Sequence, residues 1–426
     1  MNSIAATLSR PRAAALDRFL RARLLARLSA LQHGRLELRD GLGTLVVGHS
    51  VEGPQVRLEV LDPSFYRLVA AGGSVGAGEA YMDGLWRCSA PGLDESDALV
   101  ALVRLLVRNR DLLDGLESGW ARLAGAARRL WHVSRDNTRS GSQRNIAAHY
   151  DLGNEFFEQF LSADLMYSSA LWRGQSDTLE AASARKLDTV CQRLALRPND
   201  HLLEIGTGWG GLALHAARHY GCRVTTTTIS RRQYELARER VRAAGLAGRV
   251  DVLLQDYRDL TGRYDKLVSI EMIEAVGADH LEEYFGAIDR LLEPHGVAVL
   301  QAITIEDHRY AQAVRSVDFI KRHVFPGSFI PSVHAMLSAK TRASDLALVE
   351  FEDFGDSYAR TLEAWRKRFL SRLGEVRSLG FDERFTRLWE FYLAYCEGGF
   401  RERSIGVAHL KFAKPLWRHE CAERTA

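Results

Sequence analysis

Cysteine is scarce in this chain of 426 residues, and long apolar runs are missing. The five cysteines never occur at CxxC spacing, so we expect neither a metal site nor a disulfide framework, and a reducing compartment fits. No apolar run reaches the roughly 18 residues that a membrane-spanning helix needs. The first residues also lack the charged and apolar regions of a signal peptide. The sequence therefore predicts a cytoplasmic protein.

Length and composition allow two domains. Hydrophobic residues make up 46% of the chain and charged residues 26%, which is ordinary for a globular protein with a core large enough for an enzyme. Residues 16–31 have the apolar spacing of an amphipathic helix, and residues 34–61 contain short β-like runs between glycine-rich turns. Because the segment 137–142 (NTRSGS) is polar, we predict an α+β domain over 1–140 and a second domain over 141–426.

The second domain alternates apolar strand candidates with helical patterns. Helical patterns such as 231–244 and 280–292 separate most of the strand candidates, which are 201–205, 223–228, 250–254, 266–270, 297–303, 346–354 and 405–412. Strands that alternate with helices are typical of a parallel sheet with helices on both faces. We therefore predict an α/β fold with a doubly wound, mostly parallel, seven-stranded sheet.

Positive charge is concentrated in residues 99–144. This stretch holds nine arginines against four acidic residues, a net charge of +5, whereas the whole chain carries only +3. Such a stretch suggests an anionic partner, and a membrane surface is favoured because no nucleic-acid-binding module is recognisable. A solvated helix face is the plainer alternative, because arginine is a good helix former and only seven of the 57 basic residues are lysine.

Residues 202–211 (LLEIGTGWGG) run from a strand candidate into a glycine-rich turn and then a helix. Glycine lets a backbone approach a ligand closely, but such a turn alone is a weak signal. A dinucleotide site needs an acidic residue about 20 residues further on, and the second strand ends instead in the acid-free segment 225–230 (TTTTIS). The Gly-Lys-Ser/Thr signature of a phosphate loop is also missing. Glu204 before the turn is typical of class I methyltransferases.

Several further motifs occur in a distinctive order. They are 148–154 (AHYDLGN), 166–168 (MYS), 228–233 (TISRRQ), 271–277 (EMIEAVG), 325–327 (FPG), Tyr358 with Thr361, Leu362 and Trp365, and 396–400 (CEGGF). Together with the glycine-rich turn, they make residues 145 to about 415 resemble the cyclopropane-fatty-acid synthase family. The resemblance implies a class I methyltransferase fold and S-adenosyl-L-methionine as the cofactor.

The family's cofactor-binding roles fall on matching positions of this sequence. The resemblance implies that Tyr167 and Ser168 close over the cofactor and that hydroxyl and amide groups replace the missing ribose acid. The implied cofactor-binding residues are Tyr167, Ser168, Glu204, Gly206, Gly208, Gly210, Thr228, Ser230, Gln233, Asp256 and Tyr257.

The implied reaction transfers a methyl group to an alkene carbon and creates a carbocation, from which a base removes a proton. Loss from the new methyl closes a cyclopropane, whereas loss from a neighbouring carbon gives a methylene or methyl-branched product. In the family a bicarbonate ion is the base, held by a Cys, a Glu, a His, an Ile backbone and a Tyr. The matching positions here are Ser169, Glu274, Gln301, Ile303 and Tyr358, so that the Cys and His positions are altered.

Glu271 is a third departure, because many family members have glycine there. Two interpretations stay open: bicarbonate binds with altered ligands, or Glu271 acts as the base and the proton leaves a different carbon. A helix-capping role for Glu271 is the plain alternative. Cys396 also matches a family cysteine, and we favour a structural role over a catalytic one because the reaction needs no covalent enzyme intermediate.

The resemblance predicts an enzyme that adds a one-carbon unit to the cis double bond of an unsaturated phospholipid. We expect a peripheral association with the anionic inner face of the membrane, and a homodimer stays open. A methyltransferase for a small amine or natural product is one alternative, against which the N-terminal domain argues. A lipid-binding protein with an inactive methyltransferase fold is another, against which the intact glycine turn argues.

Overall fold

The computed structural model describes residues 10–48, 52–111 and 152–418, with side chains from residue 14 onward. The described chain divides into two compact units. The first unit combines the N-terminal residues with 317–322 and 373–402, and the second unit holds the remaining residues. The predicted boundary between residues 140 and 141 lies outside the described residues and stays a prediction.

The helices of the described residues are α1 (Arg10–Leu28), α2 (Ser64–Gly72), α3 (Ser74–Met82), α4 (Glu95–Arg108), α5 (Asn154–Phe157), α6 (Leu179–Arg193), α7 (Gly211–His219), α8 (Arg231–Ala243), α9 (Leu281–Leu291), α10 (Asp307–Arg315), α11 (Phe319–His323), α12 (Val333–Ala343), α13 (Gly355–Ser371), α14 (Leu373–Ser378) and α15 (Glu383–Arg401). The strands are β1 (Arg35–Asp40), β2 (Gly43–Val47), β3 (Gln55–Val60), β4 (Trp86–Ser89), β5 (His201–Ile205), β6 (Arg223–Thr228), β7 (Val250–Leu254), β8 (Tyr264–Ile270), β9 (Leu292–Ile305), β10 (Ala347–Asp353) and β11 (Ile405–Ala413).

The first unit contains a four-stranded sheet in the order β2-β1-β3-β4. Strands β1 and β2 pair antiparallel, β1 and β3 pair parallel, and β4 adds antiparallel to β3. The predicted α+β character of the N-terminal region is confirmed, but β4 was not predicted. Its four residues are too few for a periodic pattern, and only Trp86 and Cys88 are buried.

The basic stretch lies partly in this unit. Arg104 and Arg108 of α4 each donate a hydrogen bond to the carboxylate of Glu402 at 2.6 Å, so this acid offsets part of their charge. The arginines from 122 to 144 lie outside the described residues. Within the described part of the chain, no helix is both long and apolar enough to cross a bilayer.

The second unit is built on a seven-stranded sheet in the order β10-β11-β9-β8-β5-β6-β7. Neighbouring strands from β9 to β7 pair parallel, whereas β11 pairs antiparallel with both β9 and β10. The predicted doubly wound, mostly parallel sheet is therefore confirmed. Strands β5, β6 and β7 have the bounds that the apolar runs predicted, whereas β9 extends beyond the predicted 297–303 at both ends.

Apolar side chains cover both faces of this sheet. One cluster includes Tyr284 and Phe285 of α9 and Met336 of α12, and the other includes Val190 of α6 and Leu212 of α7. Four of the five residues of β5 are buried, as expected for a strand between two helical layers. The carboxyl ends of the parallel strands β5, β6, β7 and β8 meet at one edge, where α/β proteins bind ligands.

Candidate active site

The loop after β5 has a backbone shape that favours glycine. Gly206, Gly208 and Gly210 have φ angles of 101°, 52° and 85°, all in the left-handed region. The amides of Gly206 and Thr207 donate to the carbonyl of Thr227 at 3.0 and 3.1 Å and tie the loop to β6. A Cβ atom at Gly208 would meet no described atom within 4 Å. This room beside the backbone fits a cofactor that approaches the loop closely.

Glu204 lies in β5 and is buried. Its Oε2 accepts a hydrogen bond from the Thr226 hydroxyl at 2.6 Å, and that hydroxyl lies 2.7 Å from the hydroxyl of Thr207. Burial raises the pKa of Glu204 to about 8, although the Thr226 hydrogen bond and the Lys186 ammonium oppose the rise. The carboxyl group therefore links β5, β6 and the glycine loop, while its predicted contact with the cofactor stays a prediction.

Thr228, Ser230 and Gln233 form one hydrogen-bonded cluster at the carboxyl end of β6. The Thr228 hydroxyl donates to Gln233 Oε1 at 2.9 Å and accepts from the Ser230 amide at 3.1 Å. Ser230 caps α8, because its hydroxyl accepts from the Gln233 amide. All three residues are buried. The fold thus brings together the three residues that we predicted to replace the ribose acid.

Asp256 and Tyr257 follow β7, the next strand of the sheet. The Asp256 carboxylate accepts hydrogen bonds from Arg258 Nε at 2.9 Å and from Arg258 Nη2 at 2.7 Å. Tyr257 packs edge to face against Tyr284, with ring centroids 5.6 Å apart. The Arg258 pair was not predicted, and it holds the Asp256 side chain in one orientation.

Tyr167 and Ser168 lie in the irregular segment between α5 and α6. The Tyr167 ring packs against Phe157 and Trp365, with centroid distances of 5.3 and 5.4 Å. The Ser168 hydroxyl accepts a hydrogen bond from Lys186 Nζ at 2.8 Å. Aromatic packing and this ammonium contact hold the segment that we predicted to close over the cofactor.

Lys186 is a completely buried residue of α6 that the sequence analysis missed. Burial lowers its pKa to about 8, although the nearby Glu271, Asp164 and Glu204 carboxylates oppose this. The helical spacing of the sequence could have identified it. Lys186 lies four residues from both Ala182 and Val190, so the three residues share one face of α6, and both neighbours are buried.

Glu271 follows β8 with a φ angle of 47°, in the left-handed region that non-glycine residues rarely adopt. Its Oε1 accepts hydrogen bonds from the Ser169 amide at 2.9 Å and from Gln301 Nε2 at 2.7 Å, and its Oε2 accepts one from the Tyr358 hydroxyl at 2.7 Å. Burial raises the pKa of Glu271, and these three hydrogen bonds together with Lys186 oppose the rise. Three of the five predicted bicarbonate ligands therefore bind the Glu271 carboxylate.

The other two predicted bicarbonate ligands, Glu274 and Ile303, are hydrogen-bonded to each other. The Ile303 amide donates to Glu274 Oε1 at 2.6 Å. Glu274 Oε2 is buried and has no hydrogen-bond partner among the described residues. Burial and repulsion by Glu271 raise the pKa of Glu274 to about 8. Hydrogen-bond donors favour the charged form of a carboxyl group, so the three donors around Glu271 favour its ionised form more than the single donor at Glu274 does.

Gln301 of β9 lies opposite His409 of β11. His409 Nε2 is 2.9 Å from Gln301 Oε1, and the ring is completely buried. The apolar run predicts the strand 405–412 but not this contact, because a local pattern does not fix which residue of β9 lies opposite His409. Antiparallel pairing sets that register.

Cys396 belongs to a different unit from the residues above. It lies in α15 of the first unit, and burial raises the pKa of its thiol. A thiol with a raised pKa is a poor nucleophile, which agrees with the structural role that we favoured.

Comparison with known proteins identifies relatives along most of the chain. The sequence profile of the family described as Mycolic acid cyclopropane synthetase matches residues 137–410. Tuberculostearic acid methyltransferase UfaA1 of Mycobacterium tuberculosis is 36% identical over 393 residues, which cover 90% of this chain and 88% of that protein. Cyclopropane-fatty-acyl-phospholipid synthase of Escherichia coli is 35% identical over 360 residues, with coverages of 84% and 87%.

A solved structure is also similar in fold. The mycolic acid cyclopropane synthase CmaA1 complexed with SAH and CTAB is 27% identical with a TM-score of 0.60, and the match covers 64% of this chain and 98% of that one. The family resemblance, the α/β fold and the S-adenosylmethionine cofactor predicted from the sequence are thereby confirmed. The chain belongs to the mycolic acid cyclopropane synthetase family and is an S-adenosylmethionine-dependent C-methyltransferase.

Proposed function

We propose that this enzyme adds a one-carbon unit to the cis double bond of an unsaturated acyl chain in a membrane phospholipid. The E. coli relative is named for fatty-acyl phospholipid and the M. tuberculosis relative for a fatty acid. Both support a lipid acyl substrate over a small amine or natural product. The ordered carboxylate site at Glu271 favours an active enzyme over an inactive lipid-binding protein.

The cofactor-binding residues are part of the proposal. The glycine loop and the cluster of Thr228, Ser230 and Gln233 would hold the cofactor at the carboxyl ends of β5 and β6. S-Adenosylmethionine, when bound there, supplies an electrophilic methyl group. The segment with Tyr167 and Ser168 excludes water from the neighbouring carboxyl groups, because aromatic rings pack around it.

Glu271 is the base in this proposal, and one observation carries it. The Ser169 amide, the Gln301 amide group and the Tyr358 hydroxyl all donate to the Glu271 carboxylate. These groups do not fit a bicarbonate ion, because Glu271 already occupies them. A carboxylate held in fixed geometry beside the cationic substrate can accept its proton.

Whether a hydride shift precedes the loss of the proton decides the product. Loss from the new methyl with formation of a carbon–carbon bond gives a cyclopropane. A 1,2-hydride shift followed by loss of a proton from the same methyl gives a methylene group. Either route leaves a neutral lipid and a protonated Glu271. We propose that the methylene product competes with the cyclopropane, because this base is attached to the chain rather than being a separate ion.

The test is Glu271→Gln, which keeps the shape of the side chain but removes the base. General base catalysis contributes about 100- to 10,000-fold, so turnover should fall on that order or the product ratio should change. Affinity for S-adenosylmethionine should not change. Products are measured by mass spectrometry of acyl chains, and Glu282→Gln, an exposed residue of α9, is the control.

Bicarbonate provides a second arm of the test. Activity of the unmodified enzyme should be the same in buffer stripped of carbon dioxide and in buffer with added bicarbonate. A bicarbonate requirement, or unchanged products and rate in Glu271→Gln, would place the base around Glu274 and Tyr358 instead.

Peripheral membrane association is also proposed. A phospholipid substrate lies in a bilayer, and a cluster of arginines gains about 1 kcal/mol per cation near an anionic surface. The stretch 99–144 carries a net charge of +5, although Glu402 already binds Arg104 and Arg108. Location at the inner face of the membrane and a homodimer stay predictions.

A further inference from the structure

His409 is held by a single hydrogen bond at its Nε2 atom. The bond joins Nε2 to Gln301 Oε1 over 2.9 Å, and the imidazole lies beside the tilted ring of Phe354 at a centroid distance of 4.6 Å. His409 Nδ1 is buried without a hydrogen-bond partner among the described residues. A buried ring with one bonded and one unbonded nitrogen has one favourable protonation state.

The orientation of the Gln301 amide follows from its neighbours. Its nitrogen lies 2.7 Å from Glu271 Oε1, which also accepts from the Ser169 amide, and 3.2 Å from the carbonyl oxygen of Ser169, which can only accept. The NH₂ group must therefore face them, which leaves the amide oxygen toward His409. His409 must then donate from Nε2, because two acceptors would repel each other.

The unbonded Nδ1 completes this assignment. A doubly protonated ring would carry a buried N–H with no acceptor, which is costly. Burial, together with the positive charges of Arg193 and Lys186, lowers the pKa of His409 to about 3. The ring is therefore neutral, with its proton on Nε2.

We infer that His409 is a positioning residue, which holds the Gln301 amide with its NH₂ group toward the Glu271 carboxylate. Without this donor the buried amide oxygen loses a hydrogen bond, and an amide that shifts to restore one draws its NH₂ group away from the carboxylate. The inference rests on the proposed function for its effect on catalysis. The hydrogen-bond arrangement itself does not depend on which group is the base.

Other charged and titratable groups also act on this arrangement. Lys186 from α6, Glu274 after β8 and Tyr358 from α13 act on Glu271, while Arg193 and Lys186 act on His409. A change at His409 leaves all of these residues in place. Its effect on Glu271 can therefore be attributed to the Gln301 amide.

The experiment follows the Glu271 carboxyl carbon by ¹³C NMR in protein labelled at glutamate, with Glu271→Gln assigning the signal. His409→Phe keeps an aromatic ring but removes the donor. In this variant the hydrogen bond from the Gln301 amide to the Glu271 carboxylate is weakened or lost, which should raise the Glu271 pKa by about one pH unit. The acidic limb of the pH profile of kcat should move by the same amount. His409→Gln, which keeps an N–H donor, should restore most of both values.

The outcomes separate the inference from the proposed function. An unchanged Glu271 pKa in His409→Phe overturns the positioning role, even if Glu271→Gln is inactive. A raised Glu271 pKa with unchanged kcat supports the positioning role and contradicts Glu271 as the base. Should His409→Phe not fold, ¹⁵N NMR of the unmodified protein decides: a neutral ring protonated at Nε2 supports the inference, and a charged or Nδ1-protonated ring overturns it.

Discussion

Tyr358→Phe removes one hydroxyl and leaves the aromatic ring in α13. The hydroxyl donates to Glu271 Oε2 at 2.7 Å. Within the described residues, that oxygen accepts no other hydrogen bond. A hydrogen bond to a charged group contributes about 1.5–3 kcal/mol, and one pH unit corresponds to about 1.4 kcal/mol. The Glu271 pKa should therefore rise by about 1–2 pH units. Where the pH lies below that pKa, the ionised fraction and turnover fall about 10- to 100-fold.

The free energy of unfolding of Tyr358→Phe should also depend on pH. A carboxyl group whose pKa is higher in the folded chain than in the unfolded chain stabilises the fold at low pH, and this contribution is lost as pH rises through the folded pKa. Burial already raises the pKa of Glu271, and Tyr358→Phe raises it further. The variant should therefore be destabilised more at pH 8 than at pH 5.

The assay combines a pH profile of kcat with urea unfolding at both pH values. Tyr220→Phe is the matched control, because the Tyr220 hydroxyl also donates to a carboxylate, that of Asp188 at 2.6 Å, away from the site. Turnover in Tyr358→Phe should recover as pH rises, and affinity for S-adenosylmethionine should stay constant. A loss of activity that is equal at all pH values would refute the reasoning, because Tyr358 would then act on the substrate and not through Glu271.

Three further predictions concern the cofactor, the membrane and the buried acids. Gly208→Val should abolish S-adenosylmethionine binding in calorimetry. Gly245→Val should not, although Gly245 has a similar left-handed φ of 69° and an added Cβ atom there also meets no atom within 4 Å. Unchanged affinity in Gly208→Val would contradict the assignment of the glycine loop to the cofactor site. Vesicle binding should need anionic lipid and weaken with salt, because the screening length is about 8 Å at physiological ionic strength; equal binding to neutral vesicles would assign the arginines of 99–144 to a solvated helix face. The melting temperature should fall as pH rises from 4.5 toward about 8, because the folded pKa of Glu274 is raised. Glu274→Gln should flatten this dependence, and an unchanged slope would contradict a buried, protonated Glu274.

The central strands could be predicted because their burial leaves a simple pattern. Strands β5, β6 and β7 lie between helical layers, so nearly every residue of β5 and β6 is buried, and polar turns mark their ends. Strand β4 lacks such a pattern because it has only four residues. The association of residues 373–402 with the N-terminal unit depends on packing between distant segments, which no local pattern records.

The sequence singled out residues that the fold brings together, but it did not predict which of them are hydrogen-bonded to each other. The altered positions Ser169, Gln301 and Glu271 stood out individually, and the fold brings them into direct contact. That the Glu271 carboxylate meets three of the five predicted bicarbonate ligands was not predictable, because the left-handed turn after β8 leaves no local pattern. His409 and Lys186 were missed because each acts through a neighbour, His409 across a strand pair and Lys186 from a buried helix face.

The backbone at Glu271 would suit glycine better than glutamate. A φ of 47° is accessible to glycine without strain, whereas a residue with a Cβ atom loses about 1–2 kcal/mol there. Burial of the carboxylate adds a further cost, which the raised pKa records. The Ser169, Gln301 and Tyr358 donors offset this cost, but a glycine would avoid it altogether. Glu271 is therefore hard to explain by stability, and the position of its carboxylate among three donors is the physical reason to look for its role in the reaction.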